Sequence, residues 1–479
     1  MAFRSLIFLF LTLPLFAATE KLDLRSLVRR AFQQSSSFQV VKSDKLEVDA
    51  PYWQEKVTWD PRVSLGVSRI EDRRKPLYPD SPTSLYSTLF SSSLSTLLPT
   101  GTAVQLELAN SINDFEFANS PSGRLSETKL TVGLTQNLWR NSFGSATRYK
   151  EEAGALRSDA KNVQFEKATQ DWVFNLIESY YAAWTAQARL RMTIQEVERK
   201  ERFLKVTLIR AQRGTSQKPD VIQAESALRR AKLKQTDWVY QSREKWRALQ
   251  VISGSPDSEP VDLELDPLSD KILEACATPK TEKDASENRL LRQYAKEAEA
   301  GELYAKATSN LLSPDLDLKV NFFSNGIDER AVKGLQENFR FSNPGFSVGL
   351  GLSIPIFNYD KKAEAAKASA EAMRSHAKWE IARKTWVKEY KDLCERLKRA
   401  ENSREEFLDL KKAQSQRVLL EEQRFRLARS TVTNIIQAGD DAAEAQSDLD
   451  SIEVERRLIA WNLLRIEGTL TKNLNLESR

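Results

Sequence analysis

The sequence predicts a mainly α-helical α+β protein built from one duplicated unit, each copy running helix, strands and long helical hairpin. Three observations predict it. A strand-to-helix junction occurs twice, as LTVGLTQNLWR over Leu130–Arg140 and VGLGLSIPIFN over Val348–Asn358. Without a gap this pairs Gly133 with Gly351, Leu134 with Leu352, Thr135 with Ser353, Leu138 with Ile356 and Trp139 with Phe357. Each junction leads into a stretch nearly free of helix breakers, Tyr149–Arg213 and Lys361–Phe425, which would extend to ~100 Å as one helix. Finally, 29% charged residues with only 16 Gly and 16 Pro in 479 positions favour long, surface-rich helices over loop-dense domains.

The net charge of +5 is small against 72 basic and 67 acidic residues because the signs are interleaved, as on solvated helix faces. A nucleic-acid footprint would cluster Lys and Arg on one side, so no nucleic-acid partner is expected. Arg4, the apolar run Leu6–Phe16 and then Ala17 and Ala18 have the layout of a secretory signal peptide over residues 1–18. The segment holds no Cys for lipid attachment, and no other stretch approaches the ~18 apolar residues of a membrane-spanning helix. If the mature chain crosses a membrane, it must do so as a β-barrel. Cys276 and Cys394 lie far apart and in no metal-ligand spacing. An export signal permits a disulfide, but they read as two unpaired helix cysteines.

In chain order, Leu22 to about Ala50 forms a first helix, with Leu24, Leu27, Val28 and Ala31 on one face. Beyond Pro51 and Pro61 the period becomes two. Val63, Leu65 and Val67 oppose Ser64, Gly66 and Ser68, and after a weaker strand at Leu85–Leu98 and a turn at Pro99–Gly101, Val104, Leu106 and Leu108 oppose Gln105 and Glu107. A polar loop, Asn110–Ser126, leads to the strand carrying Leu130, Val132 and Leu134, so the first half offers four strands. The long helix from Tyr149 carries a seven-residue seam, Leu190, Ile194, Val197, Glu201, Leu204, Leu208 and Ala211. It breaks at Gly214 and Pro219 and returns from Asp220 to Ile252. Residues 254–284 separate the halves, 19–253 and 285–479. The second half repeats the order with a helix over Ala285–Leu312, a strand at Leu316–Phe322, a polar Gly-containing loop, and a strand at Phe346–Ile356 bearing Val348, Leu350 and Leu352. A helix over Lys361–Phe425, a turn at Ala428–Thr433 and a return helix to about Leu470 complete it, the return carrying Ile435, Ala438, Ala442, Ala445, Leu449, Ile452, Arg456 and Ile459 at steps of three and four. The hairpin turns match as well: Arg210, Gly214, Ser216, Asp220, Ile222, Gln223 and Ala224 align with Arg424, Ala428, Ser430, Asn434, Ile436, Gln437 and Ala438.

This order of elements resembles the TolC family of outer-membrane efflux and secretion channels. Gln136-Asn137-Leu138-Trp139 and Ile354-Pro355-Ile356-Phe357 are similar to its Gln-Pro-Leu-Phe junction signature, and Gly214–Ala224 to its hairpin turn, a Gly followed six residues later by Asp and an apolar pair. The resemblance covers nearly all of the mature chain. It implies a homotrimer that forms one outer-membrane β-barrel, continued through the periplasm by an α-helical barrel, with a periplasmic adaptor (membrane fusion protein) docking at the hairpin tips Gly214, Ser216, Asp220, Ala428 and Ser430 and an inner-membrane pump supplying energy. The chain departs from the family in two respects. The usual member has two strands per half, against four in the first half here. Family members often carry tip Asp residues ringing the tunnel entrance, where this chain has Asn434 and Gln437; Asp440 and Asp441 could supply such a ring slightly deeper, or belong to a solvated helix face.

On this reading the apolar strand residues face outer-membrane lipid, and Trp53, Trp59, Trp139, Phe357 and Tyr359, all at helix-strand transitions, form an interfacial aromatic belt, with core packing the competing possibility. Catalysis has no sequence support. His376 sits in a charged helix without a partner motif, and no nucleotide-binding loop, nucleophile elbow, metal cluster or cofactor motif is present. The main alternative to an exit duct is a periplasmic coiled-coil scaffold or adaptor that does not insert in the membrane.

Overall fold

The computed structural model describes residues 22–73, 84–116, 121–267, 276, 278–427 and 429–476, so the expected signal peptide and the tip residue Ala428 lie outside the described residues. The chain divides into two compact units, each drawing on both halves of the sequence. One comprises residues 46–163 and 291–382, the other the flanking and intervening segments.

The first of these units holds a six-stranded antiparallel sheet in simple chain order. Its strands are β1 (Arg62–Asp72), β2 (Ser84–Leu97), β3 (Thr102–Glu116), β4 (Gly123–Asn137), β5 (Asp315–Asp328) and β6 (Pro344–Ser353). The four-plus-two division expected from the sequence is therefore present. The expected loop Asn110–Ser126 is mostly strand, however, because Ile112 and Phe115 continue the ladder between Asn, Ser and Asp. Pairing aligns like with like across the whole sheet. One row runs Val63, Leu94, Leu106, Val132, Phe322, Phe346, and the neighbouring row on the opposite face runs Arg62, Ser95, Gln105, Gly133, Asn321, Ser347. Since side chains alternate along a strand, the sheet is apolar on one face and polar on the other. Among the described residues β1 pairs only with β2, and β6 only with β5, so both sheet edges are open.

The β2–β3 turn closes with Gly101 N–H donating to Leu98 O at 2.8 Å. At Gly101, φ is +72° and a Cβ would lie 2.3 Å from the Gly144 nitrogen, so only glycine lets this turn nest against the strand-to-helix junction. That junction is fixed by the Arg140–Asp315 ion pair and by Asn141 N–H donating to Asn310 Oδ1 at 2.6 Å. The short helix α3 (Ala50–Lys56) precedes β1.

The other unit is helical. The expected first helix is broken into α1 (Leu24–Gln34) and α2 (Ser36–Ser43), because Ser35 leaves helical geometry and its hydroxyl accepts from the Ser37 and Phe38 amides as the cap of α2. The long helices are α4 (Ser145–Gln212), whose residues up to 163 belong to the sheet-bearing unit, and α5 (Lys218–Ser253), then come α6 (Glu282–Glu287), α7 (Arg292–Asn310) and α8 (Ala331–Phe339), the last two in the sheet-bearing unit. Last come α9 (Tyr359–Arg426), α10 (Val432–Glu467) and α11 (Leu470–Asn473). α4 and α9 both have 68 residues, α5 and α10 both have 36, and each return helix ends in a left-handed glycine, Gly254 or Gly468. Equal lengths with equal caps are what a duplication leaves. The segment expected as a polar loop after Phe322 contains the end of β5 and all of α8.

The helical core gathers Leu24, Val28, Leu176, Ile177, Leu249 and Leu470 around Tyr180 and Tyr181. The Tyr180 hydroxyl lies between the carbonyls of Glu264 at 2.6 Å and Leu22 at 2.8 Å, its one proton serving both, beside the short parallel bridge of Leu22 with Leu263. Tyr181 donates to the Asp266 carboxylate and accepts from Trp461 Nε1 at 3.1 Å. Burial pushes both phenols well above the ordinary range and also raises the Asp266 carboxyl. Cys276 and Cys394 form a disulfide across 118 residues. This corrects the reading of two unpaired cysteines, since the fold brings the segment before α6 onto α9, a proximity that sequence separation cannot reveal.

The seam expected along α4 is rotated. Thr193, Glu196, Val197, Phe203 and Thr207 are buried, whereas Ile194 and Leu208 stay exposed. The buried stripe faces both α5 and α10, and such a two-sided contact selects different positions from a two-helix heptad. Along α10 the expected stripe holds better: Ala438, Ala445, Leu449, Arg456 and Ile459 are buried. Arg456 and Arg457 lie there in a dense charge network. Arg457 donates to Glu453 at 2.5 Å and to Asp266 O at 2.7 Å, Arg456 pairs with Glu401, and Arg404 with Glu453 at 2.5 Å. Burial alone would raise the Glu453 carboxyl, but these guanidiniums outweigh it and hold it below the ordinary carboxylate range.

Candidate functional site

Two regions concentrate the candidate residues. In the sheet-bearing unit, the apolar face leaves Val63, Leu65, Val67, Val348, Leu350 and Leu352 exposed, Leu65 at 80% of its full area. Val104, Leu108, Leu130, Val132 and Leu134, nearer the middle of the sheet, are half-buried. An exposed apolar face of this extent must be covered by something other than water.

The five aromatic candidates all fall at the rim where strands meet helices. Trp53 lies on α3, Trp59 just before β1, Trp139 just after β4, Phe357 between β6 and α9, and Tyr359 at the first position of α9. Trp59 is half-buried and donates from Nε1 to Glu151 at 2.9 Å. The other four are exposed, with the Phe357 and Tyr359 rings stacked at 5.5 Å.

The hairpin tips form the second region. Gly214 adopts φ +74° with open space around it, which lets α4 end and the chain reverse. Ser216 donates to Asp220 Oδ2 at 2.9 Å, and the Gln217 amide donates to the same oxygen at 3.0 Å, capping α5. The second tip is capped by Thr431, whose hydroxyl accepts from the Asn434 amide at 3.3 Å, while Ser430 donates to Glu421 at 2.5 Å. Beneath the tips, Phe203 and Phe425 pack at 5.0 Å with Ala224 and Val432 as a small apolar cluster, and the Arg210 guanidinium lies 4.3 Å above the Phe425 ring.

The proposed entrance residues do not present four free polar groups. Asn434 is exposed, whereas Gln437 donates to Asp441 Oδ1 at 2.6 Å and Arg417 pairs with Asp441 Oδ2 at 2.7 Å. Asp440 pairs with Lys200 at 2.9 Å, and Lys200 also bonds Glu196 at 2.7 Å, which Lys234 meets at 3.3 Å. Burial would raise the Glu196 carboxyl, but its two lysines prevail and lower it. Two sets of contacts result. Arg417–Asp441 and Ser430–Glu421 lie within the second hairpin. Lys200–Asp440, Arg210 to Phe425 O at 3.1 Å and Gln223 to Thr433 at 3.2 Å tie the first hairpin to the second. Sequence reading missed Lys200 and Arg417 and took Arg210 only as part of the matched turn, since such charges are unremarkable in a chain this rich in Lys and Arg; only the helix pairing shows the three facing Asp440, Asp441 and Phe425.

Among the described residues no group of His, Cys, Asp and Glu is arranged to hold a metal ion, and no helix is long and apolar enough to cross a membrane. His376 is exposed beside Glu380 at 4.0 Å.

Comparison with known proteins agrees with this architecture. Residues 68–255 match the family model described as outer membrane efflux protein. The protein CyaE of Bordetella pertussis is 25% identical over 250 residues, 51% of this chain and 51% of its own length, so the chain spans about half the length of this curated relative. Among solved structures, the outer-membrane channel OprN superposes with a TM-score of 0.69 at 14% identity, covering 93% of this chain and 89% of that one. The outer membrane protein VceC of Vibrio cholerae gives 0.67 at 14% identity, covering 94% and 95%. The chain therefore has the fold of these outer-membrane channels over nearly its whole length, and its residues 68–255 are similar to the outer membrane efflux protein family.

Proposed function

We propose that the protein is a passive exit duct for efflux or type I secretion, a homotrimer whose barrel crosses the outer membrane and whose helices extend into the periplasm. The observation that carries this reading is the six-stranded sheet with one apolar face, one polar face and, among the described residues, both edges unpaired. An edge strand left open in lipid would strand its amides and carbonyls, at a cost of several kcal/mol each. Because β1 and β6 run in opposite directions, β6 of one copy can continue antiparallel onto β1 of the next. Three copies then close eighteen strands, an even number wide enough for an aqueous lumen lined by Ser, Thr, Gln and Asn. The aromatic rim marks the periplasmic boundary of the barrel, where Trp and Tyr favour the lipid interface.

Transport energy comes from an inner-membrane pump acting through a periplasmic adaptor, which docks at the tips around Gly214, Ser216, Asp220 and Ser430. The contacts between hairpins, above all Lys200–Asp440, hold the entrance closed, and adaptor engagement separates them. Asp440, released from Lys200 on opening and repeated around the threefold axis, favours cations at a narrow entrance, while Asp441 keeps Arg417 as its counter-ion. Replacing both with Asn raises anion permeability and weakens block by divalent cations in bilayer conductance recordings; unchanged selectivity removes that role. Membrane fractionation with heat-modifiable gel migration tests the duct itself. An outer-membrane trimer is the expected result, whereas a soluble periplasmic monomer supports the alternative of a scaffold that never inserts.

A further inference from the structure

The helix α8 inverts the usual arrangement of a surface helix. Its buried residues are Gly334 and Asn338, while Val332 and Phe339 are 67% and 57% exposed. The buried side is held on the apolar face of the sheet, where Asn338 Nδ2 donates to Thr128 O at 2.9 Å and Ser324 Oγ to Asn338 O at 3.3 Å. A Cβ at Gly326 would lie 2.0 Å from Gly334 O, so the helix rests directly on strand backbone.

What α8 covers explains why it is there. Pairing puts Asn110, Ser126, Thr128 and Ser324 on the otherwise apolar face, and Asn110 Nδ2 donates to Thr128 Oγ1 at 2.6 Å and Ser126 Oγ at 3.0 Å. Ser126, Thr128 and Ser324 are all buried. The helix thus shields a polar patch and replaces it with an apolar exterior. At about 100° per residue, Val332, Leu335 and Phe339 share one flank of α8, whereas Lys333 and Arg340 share the other with Glu337. Leu335 lies in one groove with Leu65, Val67, Phe90 and Leu108, so the apolar flank continues the apolar band of the sheet.

We propose that α8 is an interfacial lipid-binding helix: Val332, Leu335 and Phe339 enter the acyl chains of the outer leaflet, and Lys333 and Arg340 reach lipid phosphates. This rests on reading the apolar sheet face as lipid-facing. The geometry is that of a helix lying in a membrane interface, with an apolar flank inward and basic side chains extended toward the headgroups. It gives the barrel a second anchor, at the rim opposite the aromatic belt.

The test uses the full-length protein in phosphatidylethanolamine/phosphatidylglycerol vesicles, with a nitroxide at one introduced cysteine: Phe339→Cys, Lys333→Cys or Leu65→Cys. The two native cysteines are joined to each other and do not compete for label. Collision with oxygen, which concentrates in lipid, is compared with collision with a water-soluble nickel chelate. The expected result is an oxygen-to-nickel ratio severalfold higher at position 339 than at 333, with position 65 also lipid-like. A lipid-like 65 with a water-like 339 overturns the proposal for α8 alone, as does a 339 label shielded from both reagents. A water-like 65 overturns the lipid-facing reading of the sheet and the proposal with it. If the Phe339→Cys protein does not assemble, Val332→Cys reads the same flank.

Discussion

Asp440→Asn and Asp441→Asn should separate the two kinds of contact at the hairpin tips. Asp440 bonds Lys200 on the first hairpin, at 2.9 Å, while Asp441 bonds Arg417 within the second, at 2.7 Å. If opening moves one hairpin against the other, only the first pair breaks. A partly exposed pair of this kind contributes about 0.2–1 kcal/mol, and three copies in a trimer about 0.6–3 kcal/mol. At about 1.4 kcal/mol per tenfold change, Asp440→Asn should shift the opening equilibrium by roughly 3-fold to 150-fold toward the open state. Asp441→Asn should leave it unchanged, because its partner travels with it. The assay is open probability of the purified trimer in planar bilayers at one fixed salt concentration, since partly exposed pairs are screened by added ions. An unchanged open probability for Asp440→Asn, or an equal rise for Asp441→Asn, refutes the assignment of Lys200–Asp440 as a restraint between hairpins.

The remaining predictions concern stability. Glu196 has its carboxyl lowered below the ordinary value of 4.5. Its contribution is therefore complete above about pH 4.5 and is lost as pH falls through the folded value, and Glu196→Gln should flatten that part of an acid-unfolding curve. Cys276→Ser opens a link across 118 residues; the loop length corresponds to about 4–5 kcal/mol in the chain-entropy account, read as a lower denaturant midpoint that reductant reproduces in the wild type. Glu453→Ala removes the carboxylate shared by Arg404, Arg456 and Arg457 and should cost about 3–5 kcal/mol, measured by chemical denaturation, because it leaves the nearly buried Arg457 guanidinium without a carboxylate, Arg456 alone keeping Glu401. Leu176→Ala, at a fully buried core position, should cost about 2–5 kcal/mol in the same assay.

Much of the architecture was legible because period and punctuation are local signals. Alternation at Val63–Val67 and Val104–Leu108 gave both the strands and the face each side chain occupies. Gly214 and Pro219 marked a real hairpin turn, and the repeated junctions anticipated two hairpins, whose equal lengths only the structure shows. The break of the first helix at Ser35 is a local cap, but the other main errors depended on contacts distant in sequence. Cys276 and Cys394 carry no spacing signal for pairing. The α4 stripe is set by two neighbouring helices, so Phe203 and Thr207 are buried where a heptad favoured Leu204 and Leu208. α8 was hidden because its anchors are Gly334 and Asn338, residues that ordinarily signal a loop; Val332, Leu335 and Phe339 at i, i+3 and i+7 were the available sign. At the tips the sequence supplied Asp440 and Asp441, but their partners are visible only once the helices are paired.

The central claim is that open strand edges of separate copies join into one outer-membrane barrel, and intermolecular crosslinking between β1 and β6 tests it most directly. One cysteine would be placed in β1, at Ser64, and a second moved residue by residue along β6 from Phe346 to Leu352, with oxidation in isolated outer membranes. The account predicts covalent trimers at the positions that face each other in an antiparallel ladder, alternating with positions that do not crosslink. Monomer at every position, in protein recovered from the soluble periplasmic fraction, would contradict it.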